Sequence, residues 1–234
     1  MQKNQQVMYP EEREYSWQDG KKLTIGKKTL IMGILNVTPD SFSDGGKWNS
    51  VDRAVQHMLE MVVNGADIID IGAESSRPGF VTMSAKEEIE RLKPFLEAVL
   101  PACPVPVSID TFKAETAAYA AEQGVHMLND IWGLQYAEEP GEMAKVAAEY
   151  DLPVVVMHNR DSKVYKGDII DSMRAFFQRS IDIACEAGVK QENIILDPGI
   201  GFGKDVAGNL EVMNRLQELK KFAGYRYPLL LGTS

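Results

Sequence analysis

The sequence predicts an α/β protein of the TIM (β/α)8 barrel class, preceded by an N-terminal β-hairpin. Strand-like and helix-like segments alternate from about residue 29 onward, and the strand-like segments are short, β-branched and apolar throughout. Strands that are buried on both faces of a parallel sheet have this composition. With 234 residues, of which 44% are hydrophobic, the chain is long enough for one large domain, and we assign residues 1–234 to a single domain.

Residues 1–28 are expected to form an N-terminal extension that contains the hairpin. The segments Tyr15–Trp17 and Leu23–Ile25 are rich in aromatic and β-branched residues. Asp19 and Gly20 between them are typical of a tight turn that joins two antiparallel strands.

Seven strands and six helices are predicted after the hairpin. The strands are Leu30–Leu35, Asp67–Ile71, Val105–Ile109, His126–Leu128, Pro153–Met157, Asn193–Leu196 and Pro228–Leu231. The helices are Val51–Asn64, Ala85–Leu100, Ala114–Glu122, Gly141–Tyr150, Asp171–Ala187 and Leu210–Lys220. Ser84 and Glu87 form a capping-box pattern that starts the second helix, and Gly188 is placed to end the fifth. Seven or eight such units indicate a barrel.

A doubly wound parallel sheet is the alternative architecture. Such sheets usually carry a glycine-rich phosphate-binding turn directly after their first strand. Here the first predicted strand is followed by Asn36, Val37, Thr38 and Pro39, which do not form that motif. The barrel is therefore the preferred prediction.

Composition excludes several classes of function. The net charge of −9 argues against a nucleic-acid partner, because a phosphate backbone requires a broad basic surface. The sequence has no apolar run of about 18 residues, and its first six residues lack an apolar signal core, so we expect no membrane association and a cytoplasmic location. Its two cysteines and three histidines form neither a metal-cluster pattern nor a catalytic triad.

Polar side chains follow most of the predicted strands. In a barrel the active site is built at the carboxyl ends of the strands. The residues at these ends are Asn36, Asp70, Glu74, Asp110, Thr111, Asn129, Asp130, His158, Asn159 and Asp197. Each one taken singly could cap a helix or close a turn, but together they predict a site. Carboxylates beside an amide suit a flat heterocycle whose edge carries both donors and acceptors.

Three loops at the same end carry further functional groups. Asn36–Gly46 combines an amide, carboxylates, hydroxyls and an aromatic ring. Ala73–Gly79 contains Arg77, whose guanidinium can clamp a carboxylate or phosphate, or pair with a neighbouring loop carboxylate. In Asp197–Lys204, three glycines surround Phe202, which lets the backbone approach a ligand closely. Any metal at this end would be a hard ion such as Mg²⁺.

These motifs resemble the dihydropteroate synthase family, pterin-binding barrels of folate synthesis that are the target of sulfonamides. The matching segments are Asn36–Gly46, Asp70–Gly79, Ser108–Thr111, Asn129-Asp130 and Asp197–Gly203. Their order and spacing agree with the family from about Thr29 to Ser234. The resemblance implies a transferase that joins 6-hydroxymethyl-7,8-dihydropterin diphosphate to 4-aminobenzoate and releases diphosphate.

The resemblance also implies roles for individual residues. Asp110, Asn129, Met157 and Asp197 would bind the pterin, and Ser76, Arg77, Pro78 and Phe202 would surround 4-aminobenzoate. Thr38, Pro39, Asp40 and Phe42 would form a lid over the site. Asn36 would bind Mg²⁺ beside the diphosphate, and Asn36, Asp110 and Arg77 are the implied catalytic residues.

The chain departs from the family pattern in two ways. Ala73 stands where glycine is common, and Ser76 where threonine is usual. The last helix–strand–helix unit of the barrel is also absent, together with a lysine, an arginine and a histidine that the family uses at the site. We therefore expect the chain to be C-terminally incomplete, poor in solubility or turnover if nothing follows Ser234, and part of a longer enzyme that forms a homodimer.

Two other functions remain as alternatives. A pterin-binding methyltransferase would share the acidic residues but would not need the diphosphate loop or Arg77. A truncated, non-catalytic paralogue would bind a pterin without turning it over.

Overall fold

The hairpin predicted at the N-terminal end is present. The computed structural model describes residues 12–38, 46–74, 82–222 and 224–233, and only the backbone of residues 46–49. Strands β1 (Arg13–Ser16) and β2 (Lys22–Ile25) pair antiparallel. Gly20 lies in the connection with φ +89°, a conformation that favours glycine.

Six parallel strands form the central sheet. They are β3 (Met32–Asn36), β4 (Ile68–Gly72), β5 (Val107–Asp110), β6 (Met127–Asp130), β7 (Val154–Met157) and β8 (Ile194–Asp197). Each strand pairs with the next one along the chain. A doubly wound sheet reverses its strand order at a switch point, so the sequential order confirms the barrel class.

The connections between strands are helical, as the sequence predicts. The helices are α1 (Gly46–Val63), α2 (Ala85–Ala102), α3 (Ala114–Gln123), α4 (Glu142–Glu149), α5 (Ile169–Ala187) and α6 (Val206–Asn214). The capping box of Ser84 and Glu87 forms both of its bonds, and Gly188 ends α5 in the left-handed conformation. None of the helices in the described segments has the length and hydropathy of a bilayer span.

Several predicted boundaries were wrong. Helix α1 begins at Gly46 rather than at Val51. The last predicted helix spans Val206–Asn214 instead of Leu210–Lys220. A 3-10 turn and a small hairpin, β9 (Lys221–Phe222) with β10 (Tyr225–Arg226), follow it. The predicted seventh strand is reduced to one parallel bridge between Leu229 and Leu196. Pro228 beside it has no N–H to donate, which limits the ladder there.

The two faces of the sheet pack against different partners. One face, with Leu35, Ile71 and Leu196, lies in the core shared with the helices. On the other face, Ile68 of β4 and Ile195 of β8 share a smaller cluster with hairpin residues. Because β4 and β8 are not neighbours in the sheet, the sheet must curve to bring them together, as in a barrel.

The hairpin covers the amino ends of the strands. Arg13 Nη1 donates hydrogen bonds to the carbonyl oxygens of Glu192 (2.8 Å) and Ile194 (3.0 Å). His126, at the start of β6, lies with Nε2 3.0 Å from Asp19 Oδ2 of the hairpin turn. With this end covered, the carboxyl ends of the strands are the end at which a ligand can enter.

Candidate active site at the carboxyl ends of the strands

One row of residues crosses four neighbouring strands at their carboxyl ends. Asn36 on β3 pairs in register with Gly72 on β4, Gly72 with Asp110 on β5, and Asp110 with Asn129 on β6. Side chains in register on parallel strands point to the same face of the sheet. This is also the face of Ile68 and Met127, which lie an even number of residues earlier and face the barrel interior. The fold therefore brings three predicted site residues to one rim.

Gly72 provides the space in which this row is assembled. A β-carbon at Gly72 would lie 3.2 Å from Asp110 Oδ2 and 3.5 Å from Asn36 Oδ1. Both oxygens therefore border the space over the bare backbone of β4. The glycine thus allows a carboxylate and an amide oxygen to share the rim.

A second polar layer lies one step below the row. Asp70 and Ser108 are in register with each other and precede Gly72 and Asp110 by two residues, so they point the same way. Asn129 Nδ2 donates a 2.9 Å hydrogen bond to Asp70 Oδ2. Asp70 Oδ1 and Ser108 Oγ are buried and have no hydrogen-bond partner within the described residues. Unpaired buried oxygens are uncommon, and their position under the rim marks a polar pocket.

The two carboxyl groups of these layers have raised pKa values. Burial raises the pKa of Asp70, although the hydrogen bond from Asn129 opposes the shift. Burial and then the negative charges of Asp70 and Glu88 raise the pKa of Asp110 well above its ordinary value. A ligand that brings N–H donors or positive charge to Asp110 would lower this pKa and favour the ionised form. Such perturbed carboxyl groups are typical of functional sites.

Asp130 has a structural role, although it is adjacent to Asn129. Asn129 faces the barrel interior, so Asp130, the next residue along β6, faces the helices. Asp130 Oδ1 and Oδ2 accept hydrogen bonds from the backbone N–H groups of Trp132 (2.8 Å) and Leu134 (2.7 Å). Burial raises its pKa to about 7 despite these bonds. Asp130 therefore shapes the turn after β6 rather than the rim.

Met157 and Asp197 form the opposite part of the rim. They are in register on β7 and β8, and both are buried. Asp197 Oδ1 accepts a 2.7 Å hydrogen bond from the N–H of Gly199. Burial raises the pKa of Asp197 to about 6, and the positive charge of Lys204 opposes this shift. Both residues thus lie at the carboxyl ends of their strands.

Lys204 and His158 support the glycine-rich loop from behind. Lys204 Nζ lies 3.0 Å from His158 Nδ1 and donates to the carbonyl oxygens of Gly199 (2.8 Å) and Phe202 (2.9 Å). Burial and the charge of Lys204 lower the pKa of His158 to about 3. Phe202 is half-buried beside this group. The sequence indicated Lys204 only as one positive charge, since its role depends on contacts that the fold creates.

A buried ion cluster lies next to Asp110 and was not predicted. Lys113 donates to Glu74 and, at 3.0 Å, to Glu88 Oε2. Thr111 (3.2 Å) and Thr116 (2.9 Å) donate to the same Glu88 oxygen. The sequence held one signal of this cluster. Glu88 is a charged residue at a buried position of the amphipathic helix α2. The cluster joins the ends of β4 and β5 to helices α2 and α3.

Several predicted site residues lie outside the described residues. These are Pro39, Asp40 and Phe42 of the lid and Ser76, Arg77 and Pro78 of the aminobenzoate site. Thr38, the first lid residue, is described and half-buried directly after β3.

The donor set around Asn36 fits Mg²⁺. The described residues contain no group of three His, Cys, Asp or Glu side chains that could hold a metal. Mg²⁺ does not require such a group, because it keeps several waters and uses one or two protein oxygens together with phosphate oxygens. Asn36 is exposed at the rim and directs its Oδ1 towards the space above Gly72.

Comparison with known proteins agrees with this geometry. A family model described as "pterin binding enzyme" matches residues 32–234. Dihydropteroate synthase of Clostridium beijerinckii is 53% identical over 92% of this chain and 77% of its own length. The Bacillus subtilis enzyme is 50% identical, over 91% and 72% respectively.

Solved structures of the same enzyme share the fold. Dihydropteroate synthase from Clostridium difficile, solved in the presence of pteroic acid, has a TM-score of 0.83 and 51% identity over 89% of this chain and 77% of that chain. The Xanthomonas albilineans enzyme with 4-aminobenzoic acid has a TM-score of 0.83 and 37% identity, over 92% and 76%. With the strand order and the polar rim, these likenesses show that the chain belongs to the dihydropteroate synthase family of folate-pathway transferases.

Proposed function

We propose that the rim formed by Asn36, Asp110, Asn129 and Asp197 binds the pterin diphosphate and promotes its condensation with 4-aminobenzoate. The observation that carries the proposal is the register of Asn36, Gly72, Asp110 and Asn129 across four strands. This row brings the amide of Asn36, the carboxyl group of Asp110 and the amide of Asn129 to one rim. Relatives whose structures contain pteroic acid or 4-aminobenzoic acid support the choice of ligands.

The pterin edge would be recognised by oriented oxygens. A pterin ring presents several N–H donors on one side, and the oxygens of Asp110, Asn129 and Asp197 can accept from them. The bond from Asn129 Nδ2 to Asp70 orients the amide of Asn129 so that its oxygen points away from Asp70. Met157 provides an apolar wall beside Asp197. Binding would then release protons from the carboxyl groups whose pKa values are raised.

The chemistry depends on charge placement more than on a strong base. The bond between the pterin methylene carbon and the diphosphate oxygen breaks, and the electron pair leaves with diphosphate. The ionised Asp110 would stabilise the positive charge that spreads over the pterin ring. The amine nitrogen of 4-aminobenzoate then bonds to the methylene carbon and loses one proton.

We propose Asn36 as the protein ligand of Mg²⁺. When bound there, Mg²⁺ would supply positive charge to the diphosphate and so favour its departure. On the aminobenzoate side, Phe202 would contact the ring together with Ser76, Arg77 and Pro78, and the segment from Thr38 to Phe42 would limit access of water. A homodimer and a cytoplasmic location are further expectations of the family resemblance.

A direct assay tests the proposal. The protein as it exists is incubated with pterin diphosphate, 4-aminobenzoate and Mg²⁺, and diphosphate release and dihydropteroate formation are measured together. Equal amounts of both products are expected, with a loss of about 100-fold or more in kcat/KM for Asp110→Asn. Asp182→Asn, on the outer surface of α5, is the matched control and should behave as wild type.

Two outcomes of this assay would contradict the proposal. Pterin binding without diphosphate release would indicate a non-catalytic protein. Methyl transfer to a corrinoid protein, without use of 4-aminobenzoate, would indicate the methyltransferase alternative.

Mg²⁺ binding at Asn36 has a separate test. Titration of Mg²⁺ into the protein with diphosphate, followed by calorimetry, should give a weaker apparent affinity for Asn36→Ala than for wild type. Unchanged Mg²⁺ affinity in this variant would remove Asn36 from the role.

A further inference from the structure

Lys204 is buried inside the glycine-rich loop that follows β8. Only 2% of the surface of Lys204 is exposed to solvent, whereas lysines normally keep the ammonium group in water. The ammonium has three partners within 3.0 Å: His158 Nδ1 and the carbonyl oxygens of Gly199 and Phe202. An ammonium group has three N–H donors, so this environment uses all of them.

The glycine-rich loop around Lys204 lies very close to the segment that follows β7. Gly199 and Gly203 have φ values of +61° and +56°. A β-carbon at Gly199 would lie 2.2 Å from the His158 carbonyl oxygen, and one at Gly203 would lie 2.6 Å from that of Arg160. The loop packs against the segment after β7 only because these positions lack side chains. Hydrogen bonds with Tyr165, Asn209 and Asp197 also hold the loop, and Lys204 adds a crosslink from it to His158.

Within the loop, Lys204 bonds to two residues that adjoin the proposed substrate sites, Gly199 and Phe202. One of its bonds is to the carbonyl of Phe202, the residue predicted to contact 4-aminobenzoate. A second bond is to Gly199, whose N–H binds the Asp197 carboxylate. The positive charge of Lys204 also lowers the pKa of Asp197 against the effect of burial. One side chain thus contacts the supports of both substrate sites.

His158 is suited to accept a hydrogen bond from the Lys204 ammonium group. Burial, Lys204 and Arg160 together lower the pKa of His158, so the ring is neutral and its Nδ1 can act as an acceptor. Its ring also packs edge-on against Phe176, with centroids 4.8 Å apart. Asp197, His158 and Arg160 are the titratable groups that act on Lys204 within the described residues.

We propose that Lys204 is a positioning residue that fixes Phe202 for 4-aminobenzoate and, through Gly199, fixes Asp197 for the pterin. This inference rests on the proposed function of the rim. It assigns to Lys204 an effect on both substrates without contact to either one. A purely structural lysine would affect stability alone.

The test compares three substitutions at one position. Lys204→Met removes the donors and the charge, Lys204→Gln keeps two donors without the charge, and Lys204→Arg keeps both. Lys204→Met should raise KM for 4-aminobenzoate and the Kd of the pterin substrate by about tenfold or more, and Lys204→Arg should restore much of both. Lys190→Met, at an exposed lysine paired with Asp151, is the control and should match wild type.

The pH profile separates positioning from stability. Without the positive charge, the pKa of Asp197 should rise, so the acid limb of kcat/KM for pterin diphosphate should move to higher pH in Lys204→Met and Lys204→Gln. The limb should stay in place in Lys204→Arg. If Lys204→Met does not fold, the comparison of Lys204→Gln with Lys204→Arg decides in the same way.

Turnover of the wild-type protein distinguishes failure of this proposal from failure of the proposed function. A wild-type protein without turnover would contradict the function itself. Normal turnover in wild type, with KM, Kd and pH profile unchanged in both Lys204→Met and Lys204→Gln, would overturn the role of Lys204.

Discussion

Asn129 on β6 donates a 2.9 Å hydrogen bond to the Oδ2 atom of Asp70 on β4, across the intervening strand β5. The bond joins the rim to the layer below it and orients an amide that faces the ligand space. The other oxygen of Asp70, Oδ1, is buried without a hydrogen-bond partner among the described residues, and the pKa of the neighbouring Asp110 is raised. Unpaired buried oxygens and perturbed carboxyl groups of this kind are typical of functional sites.

Replacing Asp70 with asparagine should change the pH dependence of both activity and stability. The substitution keeps an acceptor for Asn129 but removes a negative charge beside Asp110, so the pKa of Asp110 should fall. The acid limb of kcat/KM should then move to lower pH. Because the pKa values of both groups are raised in the folded state, their stabilising contribution is present at low pH and is lost as pH rises. Asp70→Asn should therefore raise Tm more at pH 8 than at pH 5, and an unchanged pH profile would contradict the coupling.

A methyl group at Gly72 should damage the site more than the fold. The added β-carbon would lie 3.2 Å from Asp110 Oδ2, which must move by a few tenths of an ångström. We expect Gly72→Ala to lower kcat/KM by about tenfold while Tm changes little, because the site depends on close positioning. Gly232→Ala, where a β-carbon would meet nothing within 4 Å, is the control. A wild-type rate in Gly72→Ala would show that the row tolerates displacement.

Removing Lys113 should destabilise the protein strongly. Its ammonium lies between the buried carboxylates of Glu74 and Glu88. Lys113→Met would leave both charges uncompensated, at a cost of about 3–5 kcal/mol in the free energy of unfolding. Urea unfolding measures this change, and Lys145→Met, which breaks an exposed pair with Glu142, should cost less than about 1 kcal/mol. A similar small loss of unfolding free energy in both variants would argue against a buried cluster. Adding Glu88→Gln to Lys113→Met should recover part of the loss, because it removes one of the uncompensated charges.

Ser76 offers a test of ligand affinity that rests on the sequence. Threonine is usual in the family at this position, and serine keeps the hydroxyl but lacks one methyl group. Ser76→Thr should change the Kd of 4-aminobenzoate or of a sulfonamide by about 1 kcal/mol, roughly fivefold. Calorimetry with both ligands measures it, and two unchanged binding constants would refute the hypothesis.

Short segments of sequence were sufficient for most of the fold. The apolar runs that became β4 and β7, the capping box at Ser84 and the terminating Gly188 act through contacts within a few residues. The boundary at Gly46 and the short bridge at Leu229 were missed, because tertiary contacts can extend a helix or limit a strand beyond local preference.

The sequence by itself determined which residues lie at the carboxyl ends of the strands, and it grouped Asn129 and Asp130 together there. Only the tertiary structure decided which of these residues meet. The contacts of Asn129 with Asp70, of Lys113 with Glu74 and Glu88, and of Lys204 with His158 join positions that are 25 to 59 residues apart. Such pairs follow from the register of parallel strands and from burial, which strengthens charge interactions, and neither is visible in the local pattern of residues.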